Sequence, residues 1–342
     1  MTRTTPARPV DVEALFPELA AHRGTTTRLH PRRGRPGVRD SHIGGPMLWP
    51  ADEPWPTCDE AHGPVTEGYA PDEIRRARAE GVRAEKRRAE TRPAAHRSPS
   101  GAGTPKPYAP PVPLVALAQL FRRDVPDLAA GPDGEDLVQL FRCPLRHGLH
   151  LEARYHLRWR RAGDAERAVD LLATPPEVPL LPSEEELPEP CVTHPERVTT
   201  YPWAEDDTLP AALIARIDAW DDAMTAAHGR DARCYQYDLS IPPGWRVGGF
   251  PTWASTGPMT LLCTACAAPM HLLLTADGYE TDGGTRSWIP LEDREPDSAD
   301  PTRAGYPPAV VTPTRLRFGR DRDLHVLLCQ ADGGHPPRWV LT

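Results

Sequence analysis

Two cysteines two residues apart, Cys263 and Cys266, sit between apolar, strand-like runs in LLCTACAAPMHLLLT. A late run of the same kind, LHVLLCQADGGHP, brings Cys329 and His335. Two thiolates at this spacing suit one tetrahedral ion, and a distant strand can complete the ligand set. The gap from 266 to 329 is too long for a compact zinc ribbon, so the fold itself has to bring the strands together. Thiolate and imidazole donors suit Zn²⁺, with Cys263, Cys266, Cys329 and His335 as ligands and Asp332 as an alternative to the histidine. Two other readings stand beside this one. The cysteines also serve well as small core residues, and a close pair can be redox-active, although the βαβ context of that chemistry is missing here.

The 342 residues suffice for two modest domains or one large duplicated one, with a sizeable core either way. Proline limits the choice of fold: 43 residues, against a usual share of about 5 %, predict abundant loops and few long helices. The formal net charge of −8 disfavours nonspecific nucleic-acid and anionic-membrane binding. The start, MTRTTPARPVDVEALFPEL, lacks the apolar core of a signal peptide, and no apolar run approaches the ~20 residues that span a bilayer. Seven cysteines without an export signal point to reduced thiols in a cytoplasm.

Along the chain, residues 10–22 read as a short amphipathic helix with Val12, Leu15, Phe16 and Leu19 on one face. Residues 71–92 form a second helix, acidic at its start, basic at its end and almost devoid of large apolar side chains. Residues 93–113 are rich in Pro, Ser and Gly and read as a linker, so roughly 67–110 is an insertion. VPLVALAQLF, DLVQLFRC and HLEARYHLRW are strand candidates, the last two by alternation. The acidic run at 184–186 reads as a solvated loop. LPAALIARIDAWDDAM is the best helix, with Leu209, Leu213, Ile217, Trp220 and Met224 as its stripe. CYQYDLSIP alternates like a strand.

Two blocks look alike. Gly44-Gly45-Pro46-Met47-Leu48-Trp49 resembles Gly248-Gly249-Phe250-Pro251-Thr252-Trp253, and each is followed by cysteine and later by an apolar run ending in cysteine with a histidine beyond. In the first half this pattern yields a second, weaker zinc set, Cys58, His62, Cys143 and His147, built from two C-x-x-x-H segments. The bland alternative leaves both histidines in exposed loops. Cys191 and His194 form another close pair, ranked lower. The Trp-rich loops suggest a shared aromatic groove walled by Trp49, Trp55, Trp245 and Trp253 for a peptide or small ligand; their alternative role is core packing at the sheet ends. No G-x-S-x-G, G-x-x-x-x-G-K or H-E-x-x-H occurs, and no catalytic residue is assigned.

SHIGGPMLWPADEPWP, PLVALAQL, LVQLFRCP, CVTHPERVTTYP, WRVGGFPTW and LHVLLC together resemble the YwqG-like family, a bacterial domain of unknown function. The resemblance covers most of the chain outside 67–110. It implies a mainly β (α+β), roll-like architecture of two similar intertwined halves with few helices, and no particular reaction. The chain then reads as one duplicated unit, with a first half at about 25–200 and a second at about 201–342. Cysteine pairs are not general in that family, so the metal argument rests on these residues alone. The leading functional expectation is a cytoplasmic binding or interaction module with structural zinc. Its alternatives are a metal-dependent hydrolase with an open site and an RNA-binding protein acting through the Arg-rich helix.

Overall fold

The computed structural model describes residues 2–62, 68–88, 111–147, 153–168, 170–178, 180–204, 209–253, 257–281, 284–294, 306–319 and 323–342. Fourteen strands occur among them. The first seven are β1 (Gly24–Arg28), β2 (Arg32–Arg33), β3 (His42–Ile43), β4 (Thr57–Cys58), β5 (Val112–Pro113), β6 (Val115–Phe121) and β7 (Leu137–Arg142). The others are β8 (Tyr155–Arg160), β9 (Cys191–Val192), β10 (Glu196–Thr200), β11 (Arg246–Val247), β12 (Met270–Ala276), β13 (Leu324–Cys329) and β14 (Arg338–Leu341). The α-helices are α1 (Val12–Leu15), α2 (Pro71–Arg88), α3 (Ala162–Glu166), α4 (Ala211–His228) and α5 (Pro308–Val311). The class is mainly β with some helix.

Two six-stranded antiparallel sheets share one plan. Their orders are β10-β1-β11-β12-β13-β14 and β2-β9-β3-β6-β7-β8. The three-stranded meander β6-β7-β8 in one corresponds to β12-β13-β14 in the other, and the bulge at Ala116/Ala118 matches that at Leu272/Leu274. The short strand that leads into each Gly-Gly loop, β3 or β11, sits in the third position of its sheet. Two ribbons cross between the sheets: β1 continues into β2 through His30-Pro31, and β9 into β10 through His194-Pro195. They pair antiparallel at both ends, β1 with β10 and β2 with β9. Each sheet is therefore completed by a strand from each ribbon, and the halves interlock.

Pleating explains how the core and the outer faces divide. All six residues of β7 are buried. Val138 and Leu140 point into the core between the sheets, whereas Leu137 and Phe141 join apolar clusters on the opposite face. In β13, Leu324, Val326 and Leu328 take the central side. Cys143 and Cys329 thus fall on the outer faces at equivalent ends of β7 and β13.

Several expectations change. The 10–22 segment breaks at Pro17: α1 stops at Leu15 and a 3₁₀ helix covers Pro17–His22, because proline cannot donate the bond that would continue the first turn. Val12, Phe16 and Leu19 are buried and Leu15 is half-buried. The 235–240 stretch is a π-helical turn, not a strand. Asp238 accepts from Cys234 N at 2.9 Å, Asp221 accepts from Tyr235 N at 2.8 Å, and Tyr235 and Leu239 fill the cluster around Phe16. Four-residue spacing suits those two side chains as well as alternation does. Helix α4 forms as its stripe suggests, with Leu213 and Ile217 buried. Helix α2 buries Ile74 and Arg78. Residues 89–110 of the insertion lie outside the described residues. Glu186 is buried rather than solvated, bridging Arg142 at 2.6 Å and Arg146 at 3.1 Å.

Candidate metal centres

Two four-residue clusters bring donor atoms within 4.8 Å of one another: Cys58, His62, Cys143 and His147, and Cys263, Cys266, Cys329 and His335. Either could hold a metal ion. Zn–S bonds of about 2.3 Å and Zn–N bonds of about 2.0–2.1 Å place neighbouring tetrahedral donors roughly 3.4–3.8 Å apart. The donor contacts follow that spacing. Cys58 Sγ lies 3.8 Å from His147 Nε2 and Cys143 Sγ lies 3.3 Å from His62 Nε2. In the other cluster Cys263 Sγ is 3.6 Å from His335 Nδ1, and Cys266 Sγ is 3.5 Å from Cys329 Sγ.

The first centre joins two C-x-x-x-H segments running in opposite directions. His62 and His147 form an isolated antiparallel bridge. The bridge sets histidine opposite histidine, and the thiol of each segment reaches across to the imidazole of the other. Strand β4 holds Cys58 by pairing with Val112 of β5, and Cys143 N donates to Arg154 O at 2.8 Å. Both cysteines and His147 are buried, and the imidazole centroids stand 4.6 Å apart. Burial pushes the Cys143 thiol up to about 12 and lowers both histidines. A dication amid these donors favours thiolate, so metal binding here releases protons. Behind the ligands, His147 Nδ1 lies 3.3 Å from Glu60 Oε2, which Arg154 Nε also approaches at 3.3 Å. A carboxylate in that position fixes the ring and strengthens its donor nitrogen. Glu60 was not singled out from the sequence, although its place two residues after Cys58 is a signal for it.

The second centre begins in a tight loop. Cys263 N donates to Ala268 O at 2.8 Å and Ala267 N to Cys263 O at 2.9 Å, with Ala267 at φ 57°. Ala265 N points at Cys263 Sγ at 3.4 Å. The loop leads into β12, whose Met270 pairs with Cys329 at the end of β13. His335 comes from the turn before β14, where His335 N donates to Asp332 O at 3.1 Å. Asp332 Oδ2 stands 3.7 Å from His335 Nε2, behind the ring, while Nδ1 faces Cys263. Burial opposes ionisation of Cys329, but hydrogen bonds from His335 and from the Asp332 and Ala331 backbone bring its thiol down to about 6. The bond to Cys329 raises His335. Cys263 and Cys329 are buried; Cys266 is exposed and His335 partly so.

Cys191 belongs to neither cluster. It is buried in the central core on β9, and burial pushes its thiol up to about 12. The four tryptophans are not gathered in one groove. Trp49 and Trp55 pack together at 5.1 Å against Phe141. Trp245 is in the central core, and Trp253 joins Trp203 and Ile241. Trp55, with Gly44, Gly45, Pro113 and Pro188, lines a cavity of about 530 Å³ beside α2, and Gly248 and Gly249 line one of about 270 Å³ with Asp127 and His271.

Sequence reasoning also missed how the Gly-Gly loops are held. Gln119 and Gln139 are cross-strand partners, as are Thr275 and His325. Leu48 N donates to Gln119 Oε1 at 2.7 Å, and Gln139 Nε2 donates to Leu48 O at 3.1 Å. In the other half, His325 Nε2 lies 2.8 Å from Thr252 O, and its Nδ1 lies 3.0 Å from Thr275 Oγ1. Leu48 and Thr252 hold the same place after their glycine pairs. Gly44 and Gly248 both adopt positive φ, 67° and 71°, and a Cβ at Gly44 would meet Glu189 O at 2.9 Å.

Compared with known proteins, the chain matches no family model, and a search of curated proteins found no significant match.

Proposed function

We propose that this protein is a binding module whose two β-sheets are each clamped by one structural Zn²⁺. The observation that carries the reading is the donor count. Four protein donors within 4.8 Å of one another occur in each cluster, and a closed set leaves no coordination position for a reacting water. That favours structural metal over an open hydrolytic site. Cys₂His₂ and Cys₃His sets match zinc in softness. In the first set the two thiols and the two imidazole Nε2 atoms face one another, so a cation at their centre would meet all four.

Each ion would tie loops to a sheet that short-range pairing holds weakly: β4 to the end of β7 in one half, the 263–266 loop to β13 in the other. The Gly-Gly loops are the contact surface in this reading, supported by their lining of a cavity in each half. The shared sheet order and the matched loop grips support a duplicated unit of the YwqG-like kind, at about 25–200 and 201–342. Seven free cysteines suit a reducing compartment such as the cytoplasm. No described helix is long and apolar enough to cross a membrane. Among the described arginines of α2, Arg75 pairs with Glu177, and Arg78 is buried against backbone carbonyls and Glu189, which weakens the case for RNA.

Elemental mass spectrometry on untagged protein tests the zinc reading. Two zinc ions per chain are expected, falling to one in Cys263→Ser/Cys266→Ser and to one in Cys58→Ser. Fewer than two zinc ions on freshly reduced protein overturns it.

A further inference from the structure

We propose that the second centre is a peroxide-reactive thiolate site, in which Cys266 and Cys329 join as a disulfide and release the zinc ion, while the first centre keeps its own. The inference rests on zinc occupying both clusters. It comes from a difference in access between two donor sets of similar geometry. In the first, Cys58 and Cys143 are both buried, and His147 closes the set from the inside. In the second, Cys266 is exposed at the tip of its loop.

Geometry selects the sulfur pair. Cys266 Sγ is 3.5 Å from Cys329 Sγ, and a disulfide needs about 2.03–2.05 Å. Closing that gap takes a small side-chain movement in a surface loop, with no repacking of the central core. Cys263 is less available: it is buried, its sulfur takes the Ala265 N–H at 3.4 Å, and His335 Nδ1 sits 3.6 Å away. Cys329 is buried beneath Cys266, so peroxide meets Cys266 first.

The chemistry balances with one peroxide per site. The Cys266 thiolate attacks one peroxide oxygen, the O–O bond breaks, and the leaving oxygen takes up a proton to depart as water, or as alcohol from an organic peroxide. The sulfenic acid so formed is attacked by the Cys329 sulfur, expelling its oxygen as hydroxide, which a proton converts to water. Two sulfurs have lost two electrons, and the peroxide has gained them. Cys263 and His335 alone cannot keep the ion in a closed four-donor site, so Zn²⁺ leaves. A dithiol reductant returns both thiolates and allows zinc to bind again.

The test uses the full chain, freed of reductant under nitrogen and treated with hydrogen peroxide. Zinc release is followed with a chromogenic chelator, and disulfides are mapped by mass spectrometry of peptides. The expected result is one of two zinc ions released in step with a Cys266–Cys329 disulfide, with Cys58 and Cys143 oxidised roughly tenfold more slowly or less. In Cys266→Ser the peroxide-released ion disappears, while the first-centre zinc remains. Two ions present and neither released, both released together, or a disulfide between Cys263 and Cys266 overturns this inference and leaves the zinc reading intact. Fewer than two ions before any peroxide is added overturns the zinc reading, and this inference with it.

Discussion

The two metal clusters occupy equivalent ends of equivalent strands, yet one lies inside the protein and the other at its surface. Strand β7 leads to Cys143 beneath α2 and the 170–190 segment, and an apolar cluster including Trp49, Ile74 and Leu181 covers that face. Among the described residues, strand β13 leads to Cys329 beside the loop that carries the exposed Cys266 and beside the turn before β14. What covers the outer face of each sheet therefore decides the character of its centre. The same donor chemistry becomes a core plug in one half and a surface clip in the other.

The largest expected effect is on folding. Cys143→Ser removes a ligand from the buried centre and leaves two histidines and a thiol without a cation. Structural zinc sites contribute roughly 10–16 kcal/mol in apparent terms, so this variant is expected to lose cooperative thermal unfolding. Cys266→Ser, at the surface, is expected to unfold cooperatively at a reduced midpoint. Equal losses in calorimetry would erase the distinction between plug and clip.

Acid should affect both halves next. Burial lowers His42, on β3 beside the first Gly-Gly loop, and His325, beneath the second, each to about 4. The unfolded chain protonates both near 6.5. Below that value the unfolded state binds more protons, so stability is complete above pH 6.5 and is lost as pH falls towards 4. Urea titrations from pH 7.5 to 4.5 should show this slope, and His42→Gln or His325→Gln should each flatten it. An unchanged slope in either variant would remove that histidine from the account.

A smaller effect separates the two loop grips. Gln139→Leu leaves Leu48 O and the buried Arg160 Nε without a partner and removes one of the two bonds to Gln119 Oε1, at a cost of about 1–3 kcal/mol. His325→Leu frees Thr252 O and Thr275 and is expected to cost less, because Thr275 retains hydroxyl freedom. Denaturant midpoints rank the two. A smaller change should follow Glu60→Gln, which weakens the support of His147 and lowers zinc affinity by roughly tenfold. Asp332→Asn, at the longer 3.7 Å contact, should change the affinity of its site less in competition with a chelator.

Local pattern made much of the sheet framework legible. The alternation of YHLRW produced β8, and the LVQLFR run, buried on both faces, produced β7. Helix α4 was visible in its stripe and ends at Gly229, whose φ of 58° suits glycine. The 235–240 turn was not legible, because its spacing fits two periods and hydrogen bonds to Asp221 and Asp238 decide between them. Glu186 looked solvated because nothing local announces Arg142, 44 positions away in sequence.

The sequence by itself determined the donor types, their close spacings and the repeated order of Gly-Gly loop, apolar strand, cysteine and histidine. These are properties of residues a few positions apart, where chain geometry leaves little freedom. Only the tertiary structure decided that Cys266 meets Cys329, that the two C-x-x-x-H segments run head to tail, and that Cys191 belongs to the core. It also left one centre covered and the other open. Those outcomes depend on strand order and on what packs over each sheet, and contacts across tens of residues are set by the whole fold's burial of apolar surface rather than by any local period.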